Sequence, residues 1–212
     1  MSWSGLTWFS LIVTSYLIGG IATAYLATRL LTGQDIRQIG DRNSGAANVF
    51  RNVSPKAGLI VGAVDIAKGA AAVLLVRGLV DSTPLAMAAG VAVLAGHNWP
   101  VHLGLRGGRG AATAIGVLMA MLPALGLPVG AFGLVVFCFT KKAMFALGTF
   151  LILVPILAWP IGYSFPVVLY SVAIPLTVGL THYFSVRGTA PAANPEIEQG
   201  EERALPQGQQ PP

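Results

Sequence analysis

Charge is what this chain has least of. Only 10% of its 212 residues are Asp, Glu, Lys or Arg, where a soluble domain carries roughly 25%. The mean hydropathy is +0.70. Together with apolar runs long enough to cross a bilayer, this excludes an ordinary soluble domain and reads as an all-α polytopic membrane protein. Cysteine is nearly absent too: Cys138 is alone, which excludes an intrachain disulfide and a cysteine metal site. No Lys or Arg precedes Arg29, so the basic start of a cleaved signal peptide is lacking and the first apolar run is expected to persist as a helix. No internal repeat of roughly 20–50 residues stands out. The net charge of +5 is therefore read as loop charge beside a membrane, with no nucleic-acid partner implied.

The apolar runs fall at about 8–30, 57–79, 84–94 and onward, 111–140, 143–162 and 166–184. The run at 111–140 is broken by Pro123, Gly126, Pro128 and Gly130, and is either one interrupted helix or two short ones. Charge separates the two. With the N-terminus outside and two passes in this run, Arg29, Arg37, Arg42, Arg51, Lys56, Arg106, Arg109, Lys141, Lys142 and Arg187 all face the cytoplasm, and Arg77 alone lies outside. The positive-inside rule prefers that arrangement. The expectation is about seven transmembrane helices, N-terminus out and C-terminus in. A membrane domain spans 1–187, and a cytoplasmic tail at 188–212, rich in Pro, Gln, Glu and Gly, is expected to be disordered.

Three polar features interrupt this apolar background. Gly96–Gly110 holds His97, His102, Arg106 and Arg109 among clustered glycines, just before a helix expected from Ala111. Glycines leave backbone N–H groups uncovered, and such a nest with adjacent arginines suits an oxyanion. The plainer alternative is a positive-inside anchor, which would not need the glycines. Residues 33–51 are rich in Asn, Ser, Gly and Arg. These are loop formers, and also donors and acceptors suited to a phosphorylated polyol. Asp65 and Lys68 lie three residues apart inside the second span, on one helix face, near a Gly58–Gly62 packing pair. They are either part of a polar site reached from the loop side or a pair that locks two helices.

Three spaced motifs then resemble the bacterial acyl-phosphate:glycerol-3-phosphate acyltransferase family of integral membrane enzymes. The first is Asp35-Ile36-Arg37, Gly40 to Asn43, Gly45 to Asn48 and Arg51; the second is Asp65, Lys68 and Gly69; the third is Gly96, His97, Trp99, Pro100, Arg106 to Gly110, Ala112 and Thr113. The resemblance implies a seven-helix, multi-pass protein of the cell membrane with its active-site loops in the cytoplasm. It implies transfer of an acyl chain from acyl phosphate to the 1-hydroxyl of sn-glycerol 3-phosphate, giving lysophosphatidic acid and inorganic phosphate, without metal, other cofactor or acyl-CoA. Carried over, Arg51 and Arg109 hold phosphate. Lys68 and Arg106 add positive charge, and Gly107 and Gly108 belong to the same substrate loop. Asn43 and Asn48 hold hydroxyl or phosphate oxygens and shape their loop. His97 hydrogen-bonds near the attacking hydroxyl, and His182 survives from a last-helix motif. No Ser-His-Asp arrangement suggests a covalent intermediate.

Some positions depart from the family pattern. Asp41 and Arg42 replace a serine and a glycine, Ala47 replaces a threonine, and the last-helix motif keeps only His182. An acid near a phosphate site repels the ligand unless it is paired. Asp41 is expected either to pair with Arg42 and brace the loop or to act as a general base on the acceptor hydroxyl. Other readings of the chain are a diverged acyltransferase for another polyol phosphate, and a small transporter or phosphate-binding membrane protein with Asp65 and Lys68 as a relay; no inverted repeat supports the transporter.

Overall fold

The computed structural model describes residues 4–187, and the expected tail at 188–212 lies outside them. Among the described residues the chain forms nine α-helices: α1 Gly5–Gly20, α2 Thr23–Thr32, α3 Ala46–Asn52, α4 Pro55–Val80, α5 Thr83–Asn98, α6 Ala111–Met121, α7 Pro123–Thr140, α8 Ala143–Ala158 and α9 Phe165–Arg187. Short 3-10 turns at Ile36–Gln38 and Val101–Leu103 punctuate the two long polar loops. Four stretches of the described residues are long and apolar enough to cross a membrane: Gly5–Thr32 taken through its break, Pro55–Val80, Pro123–Thr140 and Phe165–Ser185. The outer faces carry large bare side chains such as Leu30, Phe139 and Phe184, as lipid contact requires.

The helices meet through small residues, because no apolar driving force holds helices together in lipid and close backbone contact must serve instead. A Cβ on Gly69 would strike the Thr113 carbonyl of α6, and a Cβ on Gly116 would strike the Ile66 carbonyl of α4. Gly19 and Gly96 perform the same service between α1 and α5, against the Val93 and Tyr16 carbonyls. Helix α4 begins at Pro55, with the Ser54 hydroxyl accepting from the Ala57 N–H at 3.4 Å, an ordinary N-cap.

Two interruptions position the site. The first apolar run is not continuous: it breaks at Ile21–Ala22 between α1 and α2, leaving the Ile21 carbonyl open to a side chain. The run at 111–140 breaks at Leu122, and Gly126 lies against the backbone of Met119, so α7 turns sharply at the end of α6. Arg77 closes the C-terminal end of α6, donating to the Ala120 carbonyl at 2.9 Å and the Met121 carbonyl at 3.1 Å. That satisfies two of the acceptors every helix C-terminus leaves open, which gives this cation a structural role.

Candidate active site

The polar centre is built around the broken first helix. Lys68 and Asp65 pair at 2.8 Å and both are buried. Lys68 also donates to the freed Ile21 carbonyl at 3.0 Å, and Asp65 accepts from the Thr23 hydroxyl at 2.6 Å. Nδ1 of His97, in the last turn of α5, lies 3.7 Å from the same Asp65 oxygen. Buried charges survive only when paired and hydrogen-bonded, and this cluster achieves it by joining α1, α2, α4 and α5.

The first polar loop is held from within. The Asp35 carboxylate accepts from the Arg37 backbone N–H at 2.9 Å and from its guanidinium at 2.7 and 3.0 Å. That hydrogen bonding from the Arg37 side chain holds the Asp35 carboxyl below the usual carboxylate range. Arg37 reaches on to the Leu103 carbonyl at 2.9 Å, so the two polar loops are pinned together. Asn48 is the second fastener. Its amide nitrogen donates to the Ile39 and Asn43 carbonyls, both at 2.9 Å, and its oxygen accepts from Asn52 at 2.7 Å.

The glycine loop before α6 is folded onto the end of α5. The Gly107 N–H donates to the Asn98 carbonyl at 3.0 Å, and the Gly108 N–H to the His97 carbonyl at 3.1 Å. A Cβ on Gly108 would collide with the His97 ring, so only glycine lets the loop lie this close.

Above these elements the Asp41 carboxylate sits between two arginines. Its Oδ2 is 2.9 Å from Nη2 of Arg51 on α3 and 3.6 Å from Nη1 of Arg109. Arg109 is fixed further by Nδ1 of His182 at 3.2 Å and the Ser185 hydroxyl at 3.3 Å, both from α9. The Thr181 hydroxyl donates to the Arg109 carbonyl at 3.0 Å. Asp41, Arg51, Arg109 and His182 open on a cavity of about 860 Å³. Its polar lining is Asp41, Arg51, Asp65, His97, Arg109 and His182, and its apolar lining includes Met144, Leu147 and Leu151 of α8 and Pro175 and Val178 of α9. A second cavity, of about 940 Å³, shares Arg42 and Asn43 with the first and adds Arg106, Gly107 and Gly108. A cationic head beside an apolar trough matches an amphiphile with a phosphate head.

Residues 9–188 match the glycerol-3-phosphate acyltransferase family. The chain belongs to that family. It is 42% identical over 176 residues to glycerol-3-phosphate acyltransferase 4 of Dehalococcoides mccartyi, covering 83% of this chain and 95% of that one. To the glycerol-3-phosphate acyltransferase of Parasynechococcus marenigrum it is 35% identical over 196 residues, 92% of each chain. Its fold is that of PlsY (YgiH), an integral membrane glycerol 3-phosphate acyltransferase crystallised in a glycerol 3-phosphate form. The TM-score is 0.75 at 27% identity, over 91% of this chain and 98% of that one. This chain is likewise a multi-pass integral membrane protein.

In this member of the acyltransferase family the three motifs converge, but not every residue expected at the substrate lines one of these cavities. His97, Asp41, Asn43, Arg51, Arg109 and His182 line the amphiphilic cavity, and Arg106, Gly107 and Gly108 line its neighbour. Asn48 lines neither of these two cavities: it is fully buried and its amide is spent on loop carbonyls. Lys68 also stands back, its ammonium committed to Asp65 and Ile21. The free N–H nest expected at Gly107 and Gly108 is absent, because both groups donate to the end of α5. Nor does Asp41 pair with Arg42: its partners are Arg51 and Arg109, and Arg42 is exposed. Thr23, Thr181 and Ser185 are supporting residues that the sequence does not announce. The Asp65–Lys68 spacing was the one available signal, and nothing in spacing points from Arg109 to α9.

Proposed function

We propose that this chain transfers an acyl group from acyl phosphate to the 1-hydroxyl of sn-glycerol 3-phosphate, releasing lysophosphatidic acid and inorganic phosphate for phospholipid synthesis. The observation that carries the reading is the single cavity joining the Arg51–Arg109 clamp to an apolar trough between α8 and α9. Acyl phosphate is a mixed anhydride already activated for attack. The hydroxyl oxygen bonds to the acyl carbon, the bond from that carbon to the phosphate oxygen breaks, and the hydroxyl proton leaves with the products. The protein then has to position the hydroxyl and stabilise the charge growing on the leaving phosphate. Arg51 and Arg109 serve the phosphate. His97, steadied by Asp65, presents its ring to the cavity, where it orients the hydroxyl. The commitment of Asp65 to Lys68 and Thr23, and of Lys68 to the Ile21 carbonyl, supports a structural part for this pair over a relay.

The same reading has seven passes, with the polar loops on the cytoplasmic side. The sharp turn between α6 and α7 supports two passes in the run at 111–140, and the hold of half-buried Arg77 on the end of α6 supports its place on the other side. A reporter fused after Arg187 is expected to read cytoplasmic; an external signal would contradict the orientation.

The location of the acyl chain is tested at Gly179. It lines the trough, and a Cβ there meets nothing within 4 Å. Gly179→Leu is expected to assemble normally and to shift preference toward shorter acyl phosphates. An unchanged chain-length profile would place the acyl group elsewhere.

A further inference from the structure

We propose that Asp41 is a resident anion of the Arg51–Arg109 clamp, displaced by the phosphate of each incoming ligand, and that it thereby sets the clamp's selectivity for phosphate. The inference rests on the clamp reading above and adds a role for a residue that reading leaves without one. Three observations carry it.

The first is position. A single carboxylate oxygen faces both guanidinium groups, at 2.9 and 3.6 Å, within the cavity wall. That is where a phosphate oxygen would have to sit to use both arginines.

The second is incomplete satisfaction. Asp41 Oδ1 is shielded from solvent and has no hydrogen-bond partner among the described residues. A carboxylate built as a brace looks like Asp35, which accepts at both oxygens. Asp41 accepts at one only, so leaving the clamp frees a buried acceptor to find a partner.

The third is the backbone. Arg42 follows at φ +54°, in the left-handed region that a side chain other than glycine occupies at a cost. The loop is therefore drawn to the clamp by charge and opposed by its own conformation.

Displacement has a selective consequence. A monoanion entering the clamp exchanges one negative charge for another and gains little. A phosphate dianion brings more charge and more acceptor oxygens, and gains on both. A fatty carboxylate would then compete poorly for a site that accepts acyl phosphate.

The test is binding of inorganic phosphate to the purified full-length protein, compared across Arg51→Ala, Arg109→Ala, Asp41→Ser and Asp41→Asn. The arginine variants are expected to weaken binding. Both Asp41 variants are expected to tighten it by about fivefold, the scale of a partly exposed ion pair. If the arginine variants weaken binding while both Asp41 variants leave it unchanged or weaker, Asp41 is not a resident anion, and the clamp stands without it. If the arginine variants bind phosphate normally, the clamp reading itself fails. A fall in kcat of about a hundredfold or more in Asp41→Asn, with phosphate affinity unchanged, would also overturn the inference, since that marks a general base.

Discussion

Arg109→Ala is expected to remove most of the turnover while leaving the protein assembled in the membrane. The side chain is only 14% exposed and is held by three partners, Asp41, His182 and Ser185. A positive group fixed this way has little freedom left to lose when phosphate arrives. Losing a charge-assisted contact costs about 1.5–3 kcal/mol, which is roughly a 10- to 150-fold fall. Arg51→Ala is expected to fall toward the lower end, because Arg51 is 53% exposed and its charge is better screened. Arg109→Lys should keep part of the activity: an ammonium restores the charge but cannot span Asp41, His182 and Ser185 together. Rates of lysophosphatidic acid formation check all three, and near-normal turnover in both alanine variants would remove the clamp.

Gly69→Val is expected to do something different and larger, a loss of folded protein. Its Cβ would meet a main-chain carbonyl of α6, which no rotamer change can avoid. Overpacking an interior costs about 1–3 kcal/mol where side chains can shift, and here the helices themselves must part. They would draw Asp65 and Lys68 with them, since both stand on α4, and so disturb their contact with His97 on α5. Gly78 supplies the control. It lies in α4 as well, and a Cβ there meets nothing within 4 Å. Gly78→Ala is therefore expected to be neutral or slightly stabilising, as alanine is the better helix former. Yields of monodisperse detergent-solubilised protein separate the two, and equal yields would mean that α4 and α6 tolerate separation.

What could be read before the fold was known follows a physical line. Hydropathy marks a span, because lipid forces every backbone polar group inward and leaves an apolar exterior. The motif residues likewise announce a polar site in an apolar chain. Their partners are another matter, since a hydrogen bond depends on which groups compete for each donor in space. Asn48 has the chemistry to hold a hydroxyl, yet the loop carbonyls around it claim its amide first. Gly107 and Gly108 have the bare N–H groups of an anion nest, yet the open end of α5 takes them. Asp41 has a cation next to it in sequence and finds two others in space. The break at Ile21–Ala22 has no proline to mark it, and only the fold shows that Lys68 uses the carbonyl it frees.

The central claim is that one amphiphilic cavity brings an acyl phosphate to a phosphorylated acceptor. The most direct measurement supplies the purified full-length protein with acyl phosphate and sn-glycerol 3-phosphate, and follows both products. Lysophosphatidic acid and inorganic phosphate are expected to appear in equal amounts, with no product when acyl-CoA replaces acyl phosphate. Failure to form lysophosphatidic acid from acyl phosphate, or its formation at equal rates from acyl-CoA, would contradict the account.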